Sequence, residues 1–352
     1  MVMNIPEIQP DEPVAMPARK PAGPVMRIVA TVTVVMGVAG IAWIIHSVGL
    51  DSLGQVMSNL SIPKFLVLLG WYYLMFLFDT LAWRQLIRKA DRPSVWALWK
   101  AAIAGASINQ LTPGGNIGEP LKIMVLKNKG DLKEIIASLV AWNFMHLSTT
   151  MVCVLVGAIP IFMFLKADFT FVLLYLGGAL ILGLPAALIL ATFRYNILSR
   201  MASLVARLGF KADRLMNWQQ KVHSIEKNVV AVIRERPKDV AISFVHLLAS
   251  RFISITMTFG MVWVLNIDIP FVTVIYVQML NLAVSTLFSF VPARVGVFEG
   301  YNAIIFKALE YTPQAGLAVS IITRVIQVIT TVIGVLILAR PMLDARHRDG
   351  RR

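Results

Sequence analysis

Thr112-Pro113-Gly114-Gly115-Asn116-Ile117-Gly118-Glu119-Pro120-Leu121-Lys122 interrupts a mostly apolar region, and its reading decides that of the chain. Pro113 has no amide proton, and Gly114 and Gly115 favour open backbone, so a helix arriving from Ala101 stops here. Broken backbone at membrane depth survives only where protein or a wet cavity satisfies it. Interrupted helices in corresponding places of two halves point to a transporter's binding site. A second interruption with a related layout is Pro292-Ala293-Arg294-Val295-Gly296-Val297-Phe298-Glu299-Gly300. Each runs from proline through small or polar residues to glutamate, six positions on in the first and seven in the second. Lysines follow at Lys122 and Lys127 in one and at Lys307 in the other.

Of the 352 residues, 57% are hydrophobic and only 15% charged, and mean hydropathy is +0.73. A soluble domain carries more charge. Several apolar runs reach the roughly 20 residues that cross a bilayer as helix. They are continuous, whereas a membrane barrel alternates. The net charge of +14 concentrates between these runs, which is positive-inside anchoring against anionic lipid headgroups and gives no reason to expect nucleic acid. Cys153 is the only cysteine, so no intrachain disulfide or Cys/His metal pattern is available. The proline-rich residues 1–25 read as a disordered cytoplasmic tail without a cleavable signal.

The charge between runs orients them. A first span, 28–45, follows Arg19, Lys20 and Arg27 and goes outward. A second, 65–83, contains Asp79 and returns to the inside cluster Arg84, Arg88, Lys89, Arg92 and Lys100. Residues 101–125 are flanked by inside-type clusters on both sides, Lys122, Lys127, Lys129 and Lys133 closing the second, and read as a re-entrant hairpin dipping in from the cytoplasm. Residues 135–158 go outward, 159–168 connect, and 169–193 return. Residues 194–238 hold ten Lys/Arg against three Asp/Glu. Within them Leu215, Trp218, Val222, Ile225, Val229 and Val232 recur at helical spacing, an amphipathic cytoplasmic segment that lies on the membrane or packs on another helix. A span at 240–265 carries Arg251. The last, 314–338, carries Arg324 and ends at the basic cytoplasmic tail 341–352. Residues 271–312 then begin and finish outside, as a second re-entrant hairpin around Pro292–Gly300.

The expected fold is an all-α polytopic membrane protein with about six full spans and two re-entrant hairpins, eight membrane segments in all. The halves 26–193 and 239–340 match with opposite orientation: span, hairpin from inside, span (65–83, 101–125, 135–158) against span, hairpin from outside, span (240–265, 271–312, 314–338). Such inverted repeats are common among alternating-access transporters, and a small cavity between the hairpin tips is expected near the midplane.

Residues 106–122 resemble the first signature of the lysylphosphatidylglycerol synthase transmembrane-region family, also called flippase-like, and residues 291–300 resemble its second; the resemblance covers roughly 26–340. The family includes the lipid-flipping half of bacterial aminoacyl-phosphatidylglycerol synthases and stand-alone membrane proteins, some accompanying hopanoid biosynthesis genes and some labelled glycosyltransferase-like. The resemblance implies movement of a lipid between leaflets of a bacterial-type inner membrane. With the chain ending at Arg352 and no soluble aminoacyl-transfer domain, synthase activity is not expected. Ala293-Arg294 stands where a Gly-Gly pair is expected, placing a charge where the family's backbone is usually bare.

Ionisable groups at membrane depth cost about 2.5–3.5 kcal/mol each on insertion scales and are functional candidates by default. Arg251 and Arg324 are read as mid-span charges in equivalent helices, each with a planar fork suited to a lipid phosphate. The alternative is that they pair with Asp79, Glu119 or Glu299 to hold helices together. Arg294 joins them as a third candidate contact. Glu119 and Glu299 neutralise arginine in the empty state, take up a coupling proton, or cap the short helices that follow. Asn109, Gln110 and Asn116 around the first interruption, and Asn281, Ser285 and Ser289 before the second, satisfy freed backbone or contact ligand. Asn143 and His146 share one face of the third span, and His146 is either an interhelical hydrogen-bond partner or a proton relay. Trp71-Tyr72-Tyr73 reads as packing or interface anchoring.

There is no P-loop, GxGxxG, HExxH or GxSxG, so no cofactor and no nucleotide hydrolysis is expected. The reading is a translocase of an anionic or isoprenoid/hopanoid-type lipid. The alternatives are a membrane transferase on a lipid carrier, with Glu119 or Glu299 as base, and a scaffold partnering lipid-biosynthesis enzymes. The sequence sets no oligomeric state.

Overall fold

The structure is a computed structural model that describes residues 60–111, 118–127, 129–164, 231–232, 234–288, 291, 294 and 296–349. The expected spans 28–45 and 169–193, the tail 1–25, Asn116 with the Pro113-Gly114-Gly115 turn, and most of 194–238 lie outside the described residues. The described part is helical: α1 (Ile62–Leu86), α2 (Val95–Leu111), α3 (Gly118–Leu126), α4 (Leu132–Phe164), α5 (Pro237–Val264), α6 (Phe271–Leu287), α7 (Val297–Ala308) and α8 (Pro313–Asp349). Proline marks several starts, at Pro63, Pro237 and Pro313 and just ahead of α6 at Pro270, where the missing N–H would have had no intrahelical partner.

Among the described residues four helices are long and apolar enough to cross a membrane: Ile62–Leu86, Leu132–Gly157, Pro237–Val264 and Pro313–Ala339. Each covers one of the expected spans. They expose large apolar side chains outward, including Leu66, Val67, Val245, Phe252 and Leu336, which a lipid environment accommodates and water does not. The expected outer connection at 159–168 begins later than the hydropathy suggested, because α4 runs on through Pro160 to Phe164. The basic residues after Leu338 continue α8 as far as Asp349.

The most extensive contact is α1 on α5. Gly260 makes it possible: a Cβ there would lie 2.9 Å from Leu68 and 3.0 Å from Trp71. Small residues let membrane helices approach closely, where hydrophobic burial gives no advantage over lipid. Around this pair α2 packs on α8 and α6 packs on α4. The first helix after each opening span therefore lies against the closing span of the other half. The α2–α8 contact is again close, with Gly334 against Ser107. A central apolar cluster joins Leu68 of α1, Met257 and Met261 of α5, Val277 of α6, Phe306 of α7 and Ile322 and Ile326 of α8.

Arg251 lies on α5 and Arg324 on α8. Both fall within residues 239–340, on the first and last spans there, so the reading of them as occupying equivalent helices does not fit the order span, hairpin, span, as the numbering alone already shows.

One end of the bundle is held by ion pairs. Arg236 reaches Glu134 at 2.8 Å, Arg88 reaches it at 3.5 Å, and Arg92 meets Asp239 at 3.5 Å. These tie the end of α1 to the starts of α4 and α5. Val232, the last apolar residue of the amphipathic pattern, is buried in the adjoining cluster with Ala82, Leu86, Ala141 and Leu247, so that end of the segment packs on helices.

Candidate functional site

Each interruption leads into a short helix whose first turn carries a glutamate, Glu119 in α3 and Glu299 in α7. Freed N–H groups at a helix start favour a carboxylate there.

At the first, Lys122 Nζ lies 2.7 Å from Glu119 Oε1, within the same helix. Asn109 Nδ2 donates to that oxygen at 3.1 Å, and Asn143 Nδ2, from α4, donates to Oε2 at 3.1 Å. Asn109 Oδ1 accepts the Gly118 N–H at 2.6 Å, so it satisfies backbone freed by the interruption and braces the glutamate together. The Lys122 ammonium also sits 4.6 Å from the Trp142 ring centroid. Two glycines set the closeness of α2 and α3: a Cβ on Gly105 would lie 2.5 Å from Lys122 Cγ, and one on Gly118 would overlap the Gly105 carbonyl.

At the second, the pair is long-range. Arg324 of α8 donates from Nε to Glu299 Oε1 at 2.6 Å and from Nη2 to Oε2 at 3.3 Å, a forked contact. The same Nη2 donates to the Arg294 carbonyl at 3.0 Å, and Nη1 to Gln327 Oε1 at 2.9 Å. Glu299 Oε2 accepts the Gly296 N–H at 2.8 Å, half of a capping box whose reciprocal half glycine cannot make. Arg324 is 2% exposed. Gly296 (φ 79) and Arg294 (φ 51) are both left-handed, a region glycine adopts freely and arginine does not. That backbone favours glycine at position 294. A few residues on, α7 docks tightly on α8, with Gly316 under the Asn302 carbonyl and Asn302 Nδ2 donating to Ser320 Oγ at 3.0 Å.

A third group lies beside the first. Arg251 Nη2 meets His146 Nε2 at 2.6 Å. Guanidinium only donates, so Nε2 accepts and the imidazole is the neutral tautomer protonated at Nδ1. His146 is thus an interhelical partner in this arrangement. The Asp79 backbone carbonyl accepts from Trp142 Nε1 at 3.1 Å. Asp79 Oδ1 and Arg251 Nε are buried without a hydrogen bond among the described residues. Asp79, Glu119, Asn109, His146 and Arg251 therefore form one neighbourhood, joined by Lys122, Trp142 and Asn143. Glu299, Arg294 and Arg324 form another, joined by Gln327. Between them Gln110 donates to the Tyr72 hydroxyl at 3.2 Å, and Tyr73 and Thr330 share a hydrogen bond at 3.4 Å.

Lys122 was read from sequence as one of the inside-facing lysines. It is 5% exposed and paired. Its i,i+3 spacing from Glu119 was the available signal. Gln327, three residues after Arg324, and Trp142 carried no comparable signal. Tyr72 and Tyr73, which read as packing or interface anchors, pack against the central cluster and Phe76 and against Trp99 respectively, and their hydroxyls also meet polar groups of α2 and α8. Among the described residues no group of His, Cys, Asp and Glu is arranged to hold a metal.

Lys122, Arg251 and Arg324 are thus buried cations, each held by an acceptor supplied from an interruption or a neighbouring span. No match was found among curated proteins or among solved structures. The family model described as lysylphosphatidylglycerol synthase TM region matches residues 28–334, and this multi-pass membrane protein belongs to that family.

Proposed function

We propose that the chain is a translocase that moves an anionic or isoprenoid/hopanoid-type lipid between leaflets of the inner membrane, with both termini cytoplasmic. The observation that carries the reading is the forked Glu299–Arg324 pair at 2.6 and 3.3 Å on a residue 2% exposed. A lipid phosphate presents the same two-oxygen geometry as the carboxylate. Exchanging one for the other keeps the buried guanidinium paired throughout, which avoids the large cost of leaving a charge alone in hydrocarbon. Arg251 and Arg294 supply further cationic contacts along the path, and Glu119 with Lys122 plays the corresponding part at the first interruption. Asn109 holds the backbone there and Asn116 is a further candidate ligand contact, while Asp79 balances Arg251 and His146 accepts its hydrogen bond.

The two interruptions differ in how they are tied. Glu119 pairs within its own helix, and α3 reaches α4 through Asn143 and Trp142. Glu299 is locked to α8.

Purified protein in liposomes with a quencher-accessible anionic lipid tests this. The neutral double variant Glu299→Gln/Arg324→Gln removes both charges without orphaning either. Wild type is expected to expose the lipid to quencher from both sides, and the folded double variant to slow exchange at least about tenfold, the factor that about 1.4 kcal/mol of lost phosphate binding represents. Unchanged exchange in the double variant overturns the reading. A changed lipid mass assigns the chain to the transferases, and no exchange with co-purification of a lipid-synthesis enzyme assigns it to the scaffolds.

A further inference from the structure

A cleft of about 510 Å³ opens between α1 and α2, lined by Gly70, Tyr73 and Leu77 on one side and Val95, Trp96 and Trp99 on the other. Its volume falls within the range of about 300–1,000 Å³ typical of ligand pockets. From Gly70 to Leu77 the α1 wall runs about 10 Å. The lining is apolar apart from the Tyr73 hydroxyl, which is engaged by Thr330 of α8. Any groove on a membrane helix is wetted by hydrocarbon, so apolarity alone sets nothing apart. Three further features do. Among the described residues a Cβ on Gly70 would meet nothing within 4 Å, so the missing side chain creates depth without serving a contact between the described helices. Trp96 and Trp99 stack at 4.9 Å and 16°, and Trp99 lies 5.8 Å from the Tyr73 ring, making flat aromatic walls. Lys100 leans back along α2, as helical side chains do, and brings its ammonium 5.3 Å from the Trp96 ring centroid. That places a cation at the end of the cleft where α2 begins, beside the basic connection Arg84–Arg92 and at the level indoles favour in a bilayer.

We infer that this cleft seats one acyl chain of an anionic phospholipid, with its phosphate held against Lys100. The seat is separate from the buried ion pairs and binds lipid whether or not lipid is moved.

Full-length protein in liposomes is photolabelled with phosphatidylglycerol or phosphatidylcholine bearing the same diazirine acyl chain, and the cross-links are mapped by mass spectrometry. Cross-links are expected to concentrate on 70–77 and 95–99 above the level at the lipid-facing Phe252 and Trp263. Phosphatidylglycerol is expected to label the cleft about fivefold more than phosphatidylcholine, the factor one basic residue gives near an anionic surface. Gly70→Phe fills the cleft and should bring its labelling down to that of Phe252 and Trp263, while Gly70→Ala leaves it. Leu77→Trp serves the same purpose should Gly70→Phe not fold. Lys100→Gln should equalise the two lipids. Labelling no higher than at Phe252, indifference to headgroup, or persistence in the filled variants overturns the inference. Because no lipid need cross the membrane, failure of translocation leaves this readout intact.

Discussion

Glu299→Gln is the most direct test of whether the second ion pair organises α7 and α8. The substitution leaves shape nearly unchanged and removes one charge. Arg324 loses a charge-assisted hydrogen bond at 2.6 Å and a longer one at 3.3 Å. The first is worth about 1.5–3 kcal/mol and the second about 1 kcal/mol, so the expected loss is about 2.5–4 kcal/mol. This agrees with the about 3–5 kcal/mol for breaking one side of a buried pair, and it is a large share of the about 5–15 kcal/mol that holds a typical protein folded. The Gly296 cap contributes little to the loss, since glutamine retains an acceptor. Adding Arg324→Gln should recover about 1–2 kcal/mol, because the orphaned guanidinium is gone even though the Arg294 carbonyl and Gln327 each lose a donor. Steric-trap unfolding in bicelles measures both changes reversibly. A loss under about 1 kcal/mol for the single variant, or a double variant no more stable than the single, would refute the claim that this pair is buried and mutually dependent.

Arg294→Gly relieves a left-handed arginine (φ 51) while keeping the carbonyl that Arg324 uses; stability should rise by about 1 kcal/mol as exchange of anionic lipid slows, read by unfolding and liposome quenching together. Gly118→Ala forces a methyl into the Gly105 carbonyl and should cost about 3 kcal/mol, the upper part of the overpacking range, whereas Gly300→Ala, with open space at its Cβ, should be neutral or stabilise by up to about 1 kcal/mol in the same assay. His146→Leu removes the acceptor of Arg251 and should cost about 1.5–3 kcal/mol; His146→Gln, which restores an acceptor, should recover part of it.

Hydropathy, charge and backbone chemistry operate along the chain, and what depends on them was legible in the sequence. The four described long helices fall on spans expected from apolar runs. The helix ends at Leu111 and Leu287 and the restarts at Gly118 and Val297 follow from proline and glycine, which act locally on φ and on the N–H. The two glutamates stood out because an isolated carboxylate beside an interrupted helix is costly unless held. The same holds for the family, whose model matches residues 28–334.

Which groups meet was decided by tertiary packing. Whether Glu299 would pair with Arg251, Arg294 or Arg324 depended on which face of α8 lies against α7, and Gly316 beneath Asn302 sets that face. Lys122 looked like a topology signal until Gly105 and Gly118 drew α2 onto α3 and enclosed it. A one-dimensional profile records that a charge is mid-span, but its partner and its depth emerge only when helices far apart in sequence are brought into contact.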